Sequence, residues 1–205
     1  MNNPVASCTA FCGPKLIAFG SLRQVALKAK EVLDRDNRAQ LLIFDDLTSE
    51  LIEVDFRGAP AQVAQRLEKI AGASEVAEPL LREAEARRPG RPKLGVIARE
   101  VTLLPRHWDW LATQPGGASV ALRKLVEHAR KANRDRDQLR RAQEATYRFV
   151  STMAGNEPGF EEAIRALFGG RQKRFHAMIE SWPVDVRRHA EKLAASAFAS
   201  QGTPS

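Results

Sequence analysis

The order of apolar and polar positions changes period several times along the chain. In "CTAFCGPKLIAFG", residues 8–20, two β-prone runs flank Gly13–Pro14, which predicts two short strands around a turn. From Ser21 the period becomes helical. Leu22, Val25, Ala26, Ala29, Val32 and Leu33 form one stripe, and Ser21 followed by Gln24 has the spacing of a capping box. "QLLIFDDLTSELIEVDF", residues 40–56, predicts a hairpin with strands on either side of Asp46–Ser49. "APAQVAQRLEKIAG" predicts a second helix, with Pro60 in its first turn and Gly72 as its stop. Residues 8–72 therefore read as a small α/β domain.

Residues 73–95, "ASEVAEPLLREAEARRPGRPKLG", turn polar and then Pro/Gly-rich, as a linker does. "IAREVTLL", residues 97–104, is β-prone and ends at Pro105, a residue suited to a first helical turn. Trp108, Leu111 and Ala112 then recur at helical spacing, with Trp110 off the stripe. Gly116–Gly117 breaks the pattern, and Ser119 is placed to cap a second helix by accepting a bond from a free N–H. That helix keeps its register to about Asn133. "NRDRDQLRR" interrupts it, because Arg136 and Arg140 would fall on the apolar side. A new stripe follows in a different phase: Leu139, Ala142, Thr146, Phe149, Val150 and Met153. "PGFEEAIRALFGG", "RQKRFHAMIESW" and "PVDVRRHAEKLAASAF" predict three more helices, the last opening at Pro183. The fold class expected is α+β. It comprises a small N-terminal α/β domain at 8–72, a strand–helix–helix module at 96–136 that dimerises by strand pairing, and a helical domain at 137–198.

Charge adds a division that the pattern alone does not show. Residues 1–86 carry 10 basic and 13 acidic side chains, net −3. Residues 87–148 carry 15 basic and 6 acidic, net +9, and residues 149–205 are near balance at net +1. The whole excess of +7 therefore lies in the middle third, which points to a polyanionic partner for that segment. No apolar run approaches a membrane span, so no membrane partner is expected. The start "MNNPVASCTAF" lacks the basic and long apolar parts of a secretory signal, so a cytoplasmic protein is expected. Cys8 and Cys12 read as reduced, partly buried thiols, since no further Cys or His stands at zinc-ligand spacing. No metal and no cofactor is expected.

The predicted second helix of the middle segment has two faces. Ala121, Leu122, Leu125, Val126 and Ala129 form one. Arg123, Lys124, Arg130, Lys131 and Arg134 form the other, with Glu127 among them. By itself such a face is usually just solvated.

The order strand, helix, helix resembles the ribbon-helix-helix DNA-binding family. The strand Ile97–Leu104, the helix Pro105–Thr113, the turn Pro115–Gly117 and the helix from Ser119 match its parts, and Gly117–Ala118–Ser119 is similar to the Gly-x-Ser that opens its second helix. The resemblance implies a homodimer joined through residues 97–104, with the paired strands in the major groove and a phosphate at the second helix N-terminus. A lone strand cannot satisfy its own backbone groups, and pairing with a second copy would satisfy them. The register on DNA stays open. If Val101 and Leu103 pack inward, Glu100 and Thr102 face the bases; in the other register Arg99 does, together with Val101 and Leu103.

"RRPGRPKLG", residues 87–95, resembles the AT-hook, a minor-groove motif built on Gly-Arg-Pro. Gly90, Arg91 and Pro92 match that core, Arg87, Arg88 and Lys93 supply flanking charge, and Pro89 stands where the motif has another arginine. The resemblance implies insertion into narrow A·T-rich grooves. Residues 90–126 are also similar to a bacterial family of unassigned function, a likeness that spans most of the chain and implies no activity.

The expected DNA contacts are thus Arg87, Arg88, Gly90, Arg91, Pro92, Lys93, Arg99, Thr102, Ser119, Arg123 and Lys124. The expected function is that of a dimeric transcriptional regulator or nucleoid-associated protein. The alternative is a protein-interaction or antitoxin-like module whose helical C-terminal part binds a protein partner. An enzyme is not expected. Asp45–Asp46 reads as turn chemistry with solvated charge. His107, His128, His176 and His189 are scattered through Arg-rich helices and read as surface or interface residues.

Overall fold

The computed structural model describes residues 7–68, 97 and 99–199. They fall into two compact units, one holding the described residues up to 68 and from 136 onward, the other the described residues up to 135 between them. The fold is α+β.

The first unit is built on a three-stranded antiparallel sheet in the order β2–β1–β3. Strands β1 (Ser7–Cys12) and β2 (Lys15–Ser21) form the expected hairpin. Its turn needs Gly13, whose φ of +53° favours a residue without a Cβ. The register slips between Ala10 and Phe11. Strand β3 (Leu41–Asp45) pairs with the other edge of β1, Cys8 opposite Asp45 and Cys12 opposite Leu41.

Side chains on a strand alternate between faces, so each face of this sheet collects its own core. Cys8, Ala10 and Ile43 pack with Val25 and Ala29 of helix α1 (Leu22–Arg35). Ser21 and Gln24 close the capping box: the Ser21 side chain accepts from Gln24 N–H at 3.4 Å, and Gln24 Oε1 accepts from Ser21 N–H at 3.3 Å.

Past β3 the expected second hairpin strand does not form. Asp45 Oδ1 accepts from the Leu47 and Thr48 N–H groups at 2.8 Å each, closing the turn. Backbone pairing then consists of one bridge, Phe44 with Leu51, made by the bonds from Asp45 N–H to Glu50 C=O and from Ile52 N–H to Ile43 C=O. Ile52, Val54 and Phe56 instead lean on the α1-side cluster while Glu53 and Asp55 face solvent. The alternation that predicted a strand is real, but side-chain burial rather than a ladder holds it. Helix α2 covers residues 60–68 and buries Val63 and Ala64; its expected stop at Gly72 lies outside the described residues.

The other face of the sheet presents Phe11 and Phe44 to the C-terminal helices. These are α5 (Arg134–Ala154), α6 (Phe160–Phe168), α7 (Gln172–Ile179) and α8 (Val184–Ala199). Phe149, Val150, Leu167, Phe175, Ile179 and Val186 are fully buried in that core. Ala190, Ala194 and Ala197 give α8 a small-residue face that lets it pack closely. Gly159, at φ +79°, precedes α6 where a Cβ would lie 2.9 Å from the Met178 carbonyl oxygen. The described residues of 8–72 and 137–198, expected as separate domains, therefore share one hydrophobic core through Phe11 and Phe44.

The second unit holds α3 (Pro105–Ala112) and α4 (Gly117–Ala132). Their bounds follow the pattern: Pro105 sits in the first turn of α3, Gly116 and Gly117 both take positive φ, and α4 ends before Asn133. Two expectations differ. Ser119 is not the cap. The helix begins two residues earlier, with Gly116 at φ +85° as N-cap, which leaves Ser119 in the first turn. Residues 99–104 form no strand within the single chain, where the described residues offer them no partner.

Candidate nucleic-acid interface and a polar cleft

The basic positions of α4 emerge as the helical period requires. Arg123 and Lys124 are exposed one turn in, with Arg130 and Lys131 further along. Arg123 folds back, its Nε donating to the Ser119 carbonyl at 3.1 Å. Arg99 and Thr102 are exposed in the irregular segment before α3. Arg87, Arg88, Gly90, Arg91, Pro92 and Lys93 lie outside the described residues.

The apolar face opposite these cations is mostly uncovered. Leu111 and Ala121 are the buried hydrophobic side chains among the described residues of this unit. Val101, Leu104, Trp108, Trp110 and Leu125 stay roughly half exposed, and Val126 is 62% exposed. Ala129, on the same face, is exposed as well. Among the described residues of this unit, the helix pair thus carries an apolar stripe that is largely exposed.

A different grouping, not legible in the sequence, forms in the first unit. Asp46 is not the solvated turn acid expected. Its carboxylate accepts from Ser7 Oγ at 2.6 Å and Thr9 Oγ1 at 2.5 Å, and Lys192 Nζ stands 3.9 Å away. His189 is likewise no surface residue. It is 5% exposed, packed beside the rings of Phe149 at 4.5 Å and Phe11 at 5.5 Å between centroids. Burial pushes its imidazole down to about 4; Asp46 opposes that shift and Lys192 adds to it. The ring is therefore neutral at pH 7, and its Nε2 is buried without a hydrogen-bond partner. Burial also pushes the Cys8 thiol up to about 11, helped by the negative charges of Asp46 and Asp45.

Thr9, His189 and Lys192 border a cleft of about 300 Å³. Thr9, Leu16 and Phe19 line it from the sheet; Asp185, Arg188, His189 and Lys192 line it from α8. Asp185 is already engaged, accepting from the Leu16 N–H at 3.0 Å. The spacing of Arg188, His189 and Lys192 along one helix was visible in the sequence. Their meeting with Thr9 and Phe19 was not, because only the shared core brings the two ends of the chain together. Among the described residues, no cluster of three or more His, Cys, Asp or Glu side chains is placed to hold a metal ion, and no helix is long and apolar enough to cross a membrane.

Residues 7–194 match the model of a family described as an uncharacterized protein conserved in bacteria, DUF2239, and the chain belongs to that family. No curated protein and no solved structure matches it.

Proposed function

We propose that this chain is a dimeric DNA-binding protein, a transcriptional regulator or nucleoid-associated protein acting in the cytoplasm. In this reading, residues 96–136 form a ribbon-helix-helix module completed by a second copy. The observation that carries it is the open apolar stripe beneath a basic face. Trp108, Leu125 and Val126 remain exposed although the helices bearing them are formed, and Val101 and Leu104 remain exposed in the segment before them. A helix pair with Leu111 and Ala121 as its buried apolar side chains among the described residues has too little core to stand alone. A second copy, with its 97–104 segment paired to this one, would cover the stripe and satisfy the free backbone groups in one step.

Once that stripe is closed, Arg99, Arg123 and Lys124 face outward as phosphate contacts, with Thr102 a candidate for base edges. Ser119 would offer the backbone N–H groups of the first turn of α4 to a phosphate rather than its hydroxyl as a cap. Arg87, Arg88, Gly90, Arg91, Pro92 and Lys93 supply the minor-groove arm, which favours A·T-rich duplex. The second reading keeps the same stripe as a docking face for a different protein, with no specific DNA binding.

Light scattering and gel shift on the full chain test both parts. A mass of two chains is expected, with binding that falls by about 10³–10⁵ between roughly 50 and 200 mM salt if about 6–10 phosphates are neutralised. A one-chain mass at micromolar concentration overturns the ribbon. A two-chain mass without duplex binding favours the docking reading.

A further inference from the structure

The cleft between β2 and α8 plays no part in the DNA reading, yet it has the makeup of a ligand site. Sites for small molecules combine apolar walls with a few convergent polar groups, and 300 Å³ is at the small end of their range. Here the apolar wall is Leu16 with Phe19, and the Phe19 ring is 72% exposed on the sheet, an apolar surface left in water. The carboxylates nearby are occupied: Asp185 by the Leu16 N–H, Asp46 by Ser7, Thr9 and Lys192. Arg188, by contrast, lines the cleft with no ion-pair or hydrogen-bond partner among the described residues. His189 lines it too, with its Nε2 buried and without a hydrogen-bond partner.

We propose that this cleft binds a small organic carboxylate with an apolar body, its carboxylate on Arg188 and its body against Leu16 and Phe19. A guanidinium matches a planar carboxylate through two parallel N–H···O bonds. One uncommitted cation suits a single negative charge. The first turn of α8, where a phosphate would otherwise gain from the helix dipole, already carries Asp185.

The test is a titration of the full chain with benzoate, phenylacetate and hexanoate, followed by backbone amide NMR. Benzyl alcohol and inorganic phosphate serve as controls. Saturable shifts at Thr9, Leu16, Phe19 and His189 are expected for at least one of the three acids. Benzyl alcohol should bind about tenfold more weakly or not at all, a loss of about 1.4 kcal/mol. Phosphate should leave these signals in place. Arg188→Gln, at an exposed position that the core does not use, should retain the wild-type spectrum elsewhere and weaken the acid about tenfold or more. No saturable shift with any of the three acids overturns the proposal. So does equal affinity in Arg188→Gln, or phosphate acting as well as the acids.

Discussion

The rings of Phe11 and Phe149 lie 5.4 Å apart, centroid to centroid, at an interplanar angle of 50°. Phe44 joins them edge-on, 5.1 Å from Phe149. One ring comes from the central strand and one from α5, so the sheet has no separate core on that face. Removing Phe149 therefore undermines both ends of the chain. Phe149→Ala should cost about 3–5 kcal/mol, as a large aromatic lost from a packed interior does. Urea unfolding followed by signals from the sheet and from α6–α8 should shift together. Separate midpoints would mean that the two segments are independent after all.

His189 makes the stability of this unit depend on pH. An unfolded histidine takes up its proton near 6.5, and His189 in the fold only at about 4. Between those values the unfolded chain binds more protons, so this contribution to stability falls as pH drops from 6.5 toward 4 and is flat above 6.5. The loss is of order 1–3 kcal/mol at its full extent. The urea midpoint of the wild type relative to that of His189→Phe, measured from pH 7 down to 4, should fall as pH falls. A difference that does not change with pH would contradict the buried neutral ring.

Cys8 and Cys12 sit on one strand and should differ in reactivity. The thiolate is the reactive form, and a thiol pushed up to about 11 inside the sheet–α1 core is almost wholly protonated at pH 8. Cys12 is only half-buried. Iodoacetamide should label Cys12 in the native protein and Cys8 only after unfolding, as peptide mass spectrometry would reveal. Rapid native labelling of Cys8 would count against this core.

Arg123→Ala combined with Lys124→Ala should lower the salt slope of duplex binding by about one to two units. Both side chains are exposed opposite the apolar stripe, so the thermal midpoint should hold. An unchanged slope would reduce this face to solvated charge and favour the docking reading.

Leu125→Asp with Val126→Asp places two charges on the open stripe. If a second copy covers it, the pair should shift the light-scattering mass from two chains to one at micromolar concentration, because an uncompensated charge in an apolar interface is expensive. A chain that stays dimeric would move the interface elsewhere.

Local chemistry was enough to place most of the helices. The Ser21–Gln24 box, Pro105, the Gly116–Gly117 break and the phase change near Asn133 each act within a few residues, and each stands where the pattern put it. The alternation in β1 and β3 was legible too, because it depends only on the period of a strand. What covers each face of the sheet was not. Phe11 and Phe44 read as ordinary strand hydrophobics, and only packing against Phe149 shows that the helices from α5 onward complete their core. The same long-range closure buries His189, ties Asp46 to Thr9 and sets Arg188 beside Phe19. Those residues are far apart in sequence and share no motif. Local propensity governs where a helix or turn begins, but the burial of a charge or a ring depends on which distant surface closes over it, and that is decided by the tertiary structure.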